Sequence, residues 1–343
     1  MDTAALRELC DLVCVATAYG PVSRWLEVRL HGWTFRTFED ACIVALPAGS
    51  TMADIRILYA AHVDEVGGMV GAPAPRGGFL ARGCGSVAPE LLAQRPLVAM
   101  DYLDEDGGSC RPCRVEVRPG RSLLRPAWRT LARRVHPRFA TLTGDVVIVD
   151  GDSLVPYSTV FTFQGGAQVE DEALVGKALD ARTAVFAVVE AARALGRSDV
   201  GLLFYSEEGS NVSVHRAGIV VNTCFPGLEL LANCDAVDPA SLSCGDPTGC
   251  VLRLSEGGDL ISPHSTLELQ ARLRSQDIAI ELTFDAAGSK TRDLTSLAPT
   301  LSLGIPCEHI HTDEGRCSLG AIESTVQALL ALPSLLRAIA KNR

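Results

Sequence analysis

The sequence has no run of about 18 apolar residues, the length that a membrane-spanning helix requires. It also has no basic leader, because residues 1–20 carry acidic and basic side chains at intervals and predict an amphipathic helix. Positive charge is in the minority, with 31 Lys and Arg against 41 Asp and Glu and a net charge of −10. Such a surface repels a nucleic-acid backbone, so we expect neither a nucleic-acid partner nor a membrane partner.

The chain also lacks a disulfide framework, since its twelve cysteines are scattered without regular spacing. In the absence of an export signal, this pattern predicts reduced thiols and a cytoplasmic location. Cys110 and Cys113 form a lone CxxC motif. No second pair and no nearby His completes a metal site, so we interpret them as incidental thiols.

Short apolar runs alternate with helical patterns, which predicts an α/β fold with a mixed, largely parallel sheet flanked by helices. Buried strands are predicted for four short apolar runs, at residues 54–61, 200–205, 228–233 and 300–305. Apolar residues spaced three and four apart predict a helix over residues 178–196. We expect the last helix, over residues 319–332, to kink or end at Pro333.

Residues 67–166 differ from the rest of the chain in composition and in the pattern of apolar residues. Gly and Pro clusters there separate short alternating segments such as RVEVR and DVVIVD. This pattern predicts a small β-rich domain, residues 67–166, inserted into an α/β domain formed by residues 1–66 and 167–343.

Every predicted strand leads into side chains that bind metals in other proteins. The residues concerned, in chain order, are His62, Asp64, Glu65, Glu207, Glu208, Asp235 and His311. In an open α/β sheet, ligands bind in the crevice beyond the carboxyl ends of the strands, so we expect these side chains to converge. Asp180 joins them from the start of the 178–196 helix, where a carboxylate also suits the helix dipole.

Two imidazoles with several carboxylates are the ligand types of a hydrolytic metal pair. Taken singly, each residue has another explanation. His62 alone could be a satisfied histidine at a strand end, Glu207 and Glu208 a solvated acidic turn, and Asp180 a helix cap. Their occurrence together favours the metal site.

The same residues resemble the glutamyl or tetrahedral aminopeptidases, a family of co-catalytic metallopeptidases. The resemblance rests on AAHVDEVGG, GKALDAR, the Glu207 and Glu208 pair, Asp235, and the His311 and Thr312 pair, and it spans most of the chain. It implies a phosphorylase/hydrolase-like catalytic domain of the zinc-exopeptidase type. It also implies that the inserted domain helps to shape the substrate pocket and the oligomer.

The resemblance further implies the roles of the site residues. His62 and Asp235 would hold one metal ion, Glu208 and His311 the other, and Asp180 would bridge the two. By position alone, Asp238 and Asp246 are alternatives to Asp235, and His309 is an alternative to His311. The family pattern selects His311 because a small hydroxyl residue follows it.

Two further residues receive catalytic roles from the resemblance. Glu207 would be the general base that takes a proton from a metal-bridging hydroxide or water, and Asp64 would orient the His62 imidazole. Asp293 lies in a stretch, SKTRDLTS, that resembles a family segment near the site.

The chain departs from the family pattern at two places beside these residues. Ala181 follows Asp180 where the family has a second acid, and Gly209 and Ser210 follow the Glu pair where the family has Val-Gly. The inserted segment, residues 67–166, resembles the family least.

Our leading hypothesis is an aminopeptidase with two divalent metal ions per subunit, with zinc favoured and cobalt or manganese as alternatives. Its substrate would be a peptide, and the family resemblance implies a homo-oligomer such as a dodecamer. A second hypothesis keeps the metal pair but assigns a deacylase acting on N-acyl amino acids or other small amides. A third hypothesis is a non-catalytic metal-binding assembly protein.

Overall fold

The computed structural model describes residues 1–74, 77–101, 110–119, 144–150, 154–209, 211–244, 247–256, 259–260, 263–285, 291–294 and 298–341. The helices within these ranges are α1 (Thr3–Asp11), α2 (Gly20–Arg29), α3 (Pro89–Gln94), α4 (Leu179–Leu195), α5 (Asn211–Cys224), α6 (Pro263–Arg274), α7 (Thr291–Leu294) and α8 (Leu319–Lys341). The strands are β1 (Thr34–Phe38), β2 (Cys42–Leu46), β3 (Ile57–His62), β4 (Gly67–Pro73), β5 (Phe79–Cys84), β6 (Leu97–Asp101), β7 (Arg111–Pro119), β8 (Gly144–Asp150), β9 (Thr159–Phe163), β10 (Gln168–Glu170), β11 (Ala173–Gly176), β12 (Val200–Tyr205), β13 (Leu230–Val237), β14 (Cys250–Glu256), β15 (Asp259–Leu260), β16 (Ile280–Asp285), β17 (Thr300–Glu308) and β18 (Gly315–Ser318).

The central sheet has the strand order β1-β2-β12-β3-β13-β17-β18-β11-β10, and β14 to β16 attach beside β17. Its four central strands, β12, β3, β13 and β17, run parallel to one another. These are the four strands predicted from sequence, so their carboxyl ends share one edge of the sheet. Together with the flanking helices, this arrangement confirms the predicted fold class.

Helices cover both faces of the sheet. Alternate side chains of β3 point to opposite sides, so Tyr59 and Ala61 pack among α1, α2, α4, α6 and α8, whereas Leu58 and Ala60 pack against α5 and α7. Burial on both faces explains why these strands read as continuous apolar runs.

The second sheet closes into an antiparallel barrel with the strand order β4-β5-β8-β7-β6-β9. Its interior holds Val70, Leu97, Ile148 and Phe161, all fully buried. The barrel strands lie within the β-rich segment predicted from sequence, although parts of that segment lie outside the described residues. The boundaries 67 and 166 of a separate domain stay a prediction.

Of the two courses predicted for the last helix, an end at Pro333 is wrong, because α8 continues through Pro333 to Lys341. Proline has no N–H, so the carbonyl of Leu329 loses its normal helical donor. The Tyr59 hydroxyl, from β3, donates a hydrogen bond to that carbonyl at 2.7 Å. A tertiary contact therefore replaces the missing helical bond, while buried Leu332 and Leu335 hold the helix on the core on either side of the proline.

No helix in the described ranges is long and apolar enough to span a membrane. All twelve cysteines lie within those ranges, and all are free thiols. The CxxC thiols lie in different environments, since Cys113 is buried in the barrel and Cys110 is exposed.

A buried ion pair joins three parts of the fold just beyond β3. Both carboxylate oxygens of Glu65 accept hydrogen bonds from Lys177 Nζ, each at 3.0 Å. Thr162 Oγ1, on barrel strand β9, donates to Glu65 Oε2 at 3.0 Å, and the Cys14 backbone N–H donates to Oε1 at 3.2 Å. Glu65 therefore holds the N-terminal segment, the barrel and the approach to α4 together at one point.

We predict that Lys177→Met lowers the free energy of unfolding by about 3 kcal/mol, because it removes the cation that binds both oxygens of the buried Glu65 carboxylate and leaves only Arg182, 3.9 Å away. The matched control is Arg274→Met, which removes a half-exposed pair with Glu281 and should cost about 1 kcal/mol or less. Urea denaturation of both variants measures the difference. Equal losses would contradict a special role for the buried pair.

Candidate metal centre

The five predicted metal ligands meet at the carboxyl edge of the central strands, and Asp180 lies at their centre. Its Oδ1 is 3.0 Å from His62 Nε2, and its Oδ2 is 3.1 Å from His311 Nε2. Asp180 stands at a kink near the start of α4, where it and Ala181 have non-helical backbone angles. Its two oxygens thus face the two imidazoles, one on each side.

Each imidazole also meets a second carboxylate. Asp235 Oδ1, near the end of β13, lies 3.2 Å from His62 Nε2. Glu208 Oε1, just beyond β12, lies 3.0 Å from His311 Nε2. The structure therefore pairs His62 with Asp235 and His311 with Glu208, and it places Asp180 between the pairs.

Asp64 lies behind His62 and is fully buried. Its Oδ1 is 3.3 Å from His62 Nδ1 and accepts a hydrogen bond from the Glu207 backbone N–H at 2.7 Å. Its Oδ2 accepts from Ser206 Oγ at 2.6 Å and from the Gly209 backbone N–H at 2.8 Å. One carboxylate thus orients the ring of His62 and fixes the turn that carries Glu207 and Glu208.

Glu207 lies on the His62 side of the cluster. Donor atoms of His62, Glu207 and Asp235 all lie within 4.8 Å of one another, as do those of His62, Asp180 and Glu208. Burial, followed by the charge of Asp235, raises the pKa of Glu207 well above its usual range. The Tyr205 hydroxyl lies 3.2 Å from Glu207 Oε2.

The carboxylates of the cluster favour the protonated forms of its two histidines. Burial disfavours the charged form of His311, but its hydrogen bonds with Asp180 and Glu208 outweigh burial and raise its pKa to about 11. Burial likewise opposes a charge on His62, yet hydrogen bonds led by that of Asp180 raise its pKa well above the usual value. Burial would raise the pKa of Asp180, but hydrogen bonds from both imidazoles lower it. The carboxylates thus make a strongly negative site.

The donor set fits two divalent cations. The three carboxylates and two imidazoles of the predicted ligands supply the oxygen and nitrogen donors that hydrolytic metal pairs use. Two divalent ions would bring four positive charges and offset the four carboxylates, which are Asp180, Glu207, Glu208 and Asp235.

Other acidic and imidazole candidates lie elsewhere. His309 and His311 both have positive φ angles, 53° and 64°, and both lie in the turn after β17. The Asp238 side chain accepts a hydrogen bond from the Ala240 backbone N–H and caps a short turn. Asp293 lies on α7 and belongs to neither donor group, and Asp246 lies outside the described residues.

Three polar residues near the centre are missing from the sequence prediction. Tyr205 and Asn233 stand inside strands that read as buried, and Ser206 follows β12. Their signal in the sequence is weak, since each is a single polar group beside an apolar run. Asn233 is the most informative, because a fully buried amide requires hydrogen-bond partners.

Two glycines at the site lie so close to other atoms that a Cβ would clash with them. A Cβ on Gly209 would lie 2.5 Å from Ala16 Cα, so the departure from the family pattern at this position fits a crowded backbone. Gly85 has a φ of +77°, and a Cβ there would lie 2.5 Å from Glu208 Oε2. The loop after barrel strand β5 therefore lies directly against a predicted ligand. Ser210 lies outside the described residues.

The model of the M42 glutamyl aminopeptidase family matches residues 150–328, just over half of the chain. Among curated proteins, no sequence matches the chain at a significant level.

Solved structures of archaeal peptidases share the fold. The TET1 peptidase of Pyrococcus horikoshii is 18% identical, with a TM-score of 0.75 over 96% of this chain and 98% of that one. An aminopeptidase of Desulfurococcus kamchatkensis is 15% identical, with a TM-score of 0.75 over 96% and 93%. A TET aminopeptidase from a marine sediment Thaumarchaeota archaeon is 15% identical, with a TM-score of 0.75 over 96% of each chain.

We predict that zinc, added to metal-stripped protein at 100 times its Kd, raises the free energy of unfolding by about 2.7 kcal/mol for each ion bound. Asp180→Asn should lose most of this gain, because Asp180 is the carboxylate whose two oxygens reach both imidazoles. Asp40→Asn, at an exposed pair with Arg216, should keep it. Chemical denaturation with and without zinc measures the gain, and equal gains in the two variants would contradict the assignment.

Proposed function

Because the chain belongs to the M42 glutamyl aminopeptidase family, we propose that it is a metal-dependent aminopeptidase, a hydrolase that releases residues from the N-termini of peptides. The proposal rests on the position of Asp180. One of its oxygens lies within 3.1 Å of each imidazole, and a further carboxylate lies beside each ring.

In this proposal, His62 and Asp235 would hold one divalent ion, Glu208 and His311 would hold the other, and Asp180 would serve as a ligand in both sites. When bound, the ions supply Lewis acidity that polarises the scissile carbonyl and acidifies the attacking water. Zinc is the metal we favour, with cobalt and manganese as alternatives for the same nitrogen and oxygen donors.

Glu207 is the proposed general base. Its carboxylate accepts a proton from the attacking water, whose oxygen forms a bond to the carbonyl carbon of the substrate. The bond between that carbon and the amine nitrogen then breaks, and Glu207 returns the proton to the leaving amine. Asp64 supports this step, because it binds the backbone N–H of Glu207 and faces the His62 ring.

A small cleft lies beside Asp180 and His311. Residues from separate parts of the fold line it, including Phe163 of the barrel, Ala178 before α4 and Ile310 of the turn after β17. We also propose that residues 67–166 form a domain that helps to shape the substrate pocket and the oligomer; the position of Phe163 beside the cleft supports the first of these roles.

We also propose a homo-oligomeric assembly and a cytoplasmic location. The Pyrococcus horikoshii TET1 peptidase can assemble into a tetrahedron or a large octahedral shell, and one structure with a matching fold is a dodecamer. Twelve free thiols suit a reducing compartment.

Glu207→Gln should lower kcat by about 100-fold to 10,000-fold, because an amide cannot accept the proton, while the metal content stays at the wild-type value. The matched control is Glu268→Gln on α6, which loses a partly exposed pair with Arg272 and should keep wild-type kcat. Steady-state kinetics and elemental analysis give both quantities. Wild-type kcat in Glu207→Gln would defeat the assignment of the base.

A substrate panel separates the aminopeptidase from the deacylase hypothesis. We expect cleavage of aminoacyl 4-nitroanilides and no cleavage of N-acyl amino acids. Cleavage of only the acyl compounds would reject the aminopeptidase. Inert protein that still holds two metal ions would favour the non-catalytic hypothesis.

A further inference from the structure

Tyr205, the last residue of β12, places its hydroxyl beneath the candidate centre. The side chain is fully buried, and the hydroxyl lies 3.2 Å from Glu207 Oε2 and 3.0 Å from Asn233 Oδ1. Tyr205 is the register partner of His62 in the parallel pair of β12 and β3, and the two ring centroids are 6.3 Å apart. The sheet therefore fixes Tyr205 relative to a predicted ligand.

Asn233 is fixed in turn from the other side. Its Nδ2 donates a hydrogen bond to Thr291 Oγ1 at 3.0 Å, and this bond turns Oδ1 toward the Tyr205 hydroxyl. Asn233, on β13, and Thr291, on α7, are both fully buried. A chain of polar contacts thus runs from α7 through the sheet to the Glu207 carboxylate, and it can be hydrogen-bonded along its whole length once Glu207 carries a proton.

We infer that Tyr205 is a positioning residue for Glu207 and that, through the chain from Thr291 and Asn233, it holds the carboxylate in place throughout the reaction. This inference rests on the proposed role of Glu207 as general base. Nothing in the sequence pattern or in the family resemblance assigns a role to these three residues.

The hydroxyl can serve Glu207 both before and after proton transfer. A hydroxyl has one proton, and an ionised carboxylate is a stronger acceptor than an amide oxygen, so Tyr205 donates to Glu207 while Glu207 is ionised. Once Glu207 has taken the proton of the attacking water, its Oε2–H can donate to the Tyr205 oxygen, and Tyr205 then donates to Asn233. Tyr205 keeps its own proton throughout.

Tyr59 provides a matched control for a merely structural role. It is equally buried, lies on the neighbouring strand β3 and packs on the opposite face of the same sheet. Its hydroxyl donates to the Leu329 carbonyl in α8 at 2.7 Å. The same Tyr to Phe change at the two positions therefore separates loss of a buried hydroxyl from loss of contact with Glu207.

Tyr205→Phe should lower kcat for an aminoacyl 4-nitroanilide by about 10-fold to 100-fold, the loss expected for one hydrogen bond to a charged group, with KM and metal content unchanged. Tyr59→Phe should lower stability and leave kcat at the wild-type value. Thr291→Val, which removes the hydroxyl that holds the Asn233 amide, should lower kcat in the same direction by a smaller factor. It also provides a second test if Tyr205→Phe does not fold.

Crystal structures of the variants supply a readout that does not depend on activity. The Glu207 carboxylate should leave its wild-type position, or occupy more than one rotamer, in Tyr205→Phe and stay in place in Tyr59→Phe. An unmoved Glu207 with wild-type kcat in Tyr205→Phe would overturn the inference and leave the proposed function standing. A displaced Glu207 in a protein whose wild type cleaves no substrate would sustain the positioning role and reject the proposed function.

Discussion

The candidate centre depends on one constraint, which is that a single carboxylate must reach two imidazoles from different parts of the chain. His62 ends a central strand, His311 lies in a turn two strands away, and Asp180 stands where α4 begins. The non-helical backbone at Asp180 turns its two oxygens toward the two rings. Burying a carboxylate costs free energy unless a cation or a hydrogen-bond donor faces it, so this geometry favours the binding of cations at the site.

The short segment after β3 carries two kinds of support for that geometry. His62 and Asp64 face the centre, where Asp64 binds both the ring and the turn after β12. Glu65 faces the interior and binds Lys177, three residues before Asp180. The pair of Glu65 and Lys177 thus fixes the distance between the end of β3 and the start of α4. The distance between His62 and Asp180 depends on it.

The sequence predicted the parts that local pattern determines. The four central strands were short apolar runs, and each ended in a metal-binding residue type, so their common edge followed from parallel topology. The family resemblance selected His311 over His309. The turn with positive φ angles at both residues could not be predicted, because no sequence pattern there indicates it. The continuation of α8 past Pro333 depends on the Tyr59 hydroxyl, and the role of Tyr205 depends on Asn233. Both partners come from remote strands, so no local pattern could reveal them.

The wide separation of the two imidazoles along the chain has a consequence for biosynthesis. A polypeptide leaves the ribosome from its N-terminus, so β3, the barrel and α4 emerge long before the turn between β17 and β18. A nascent chain therefore carries His62 and Asp180 without the second ring and holds an incomplete set of donors. The proposed set of donors is complete only after the turn between β17 and β18, which carries His311, has left the ribosome.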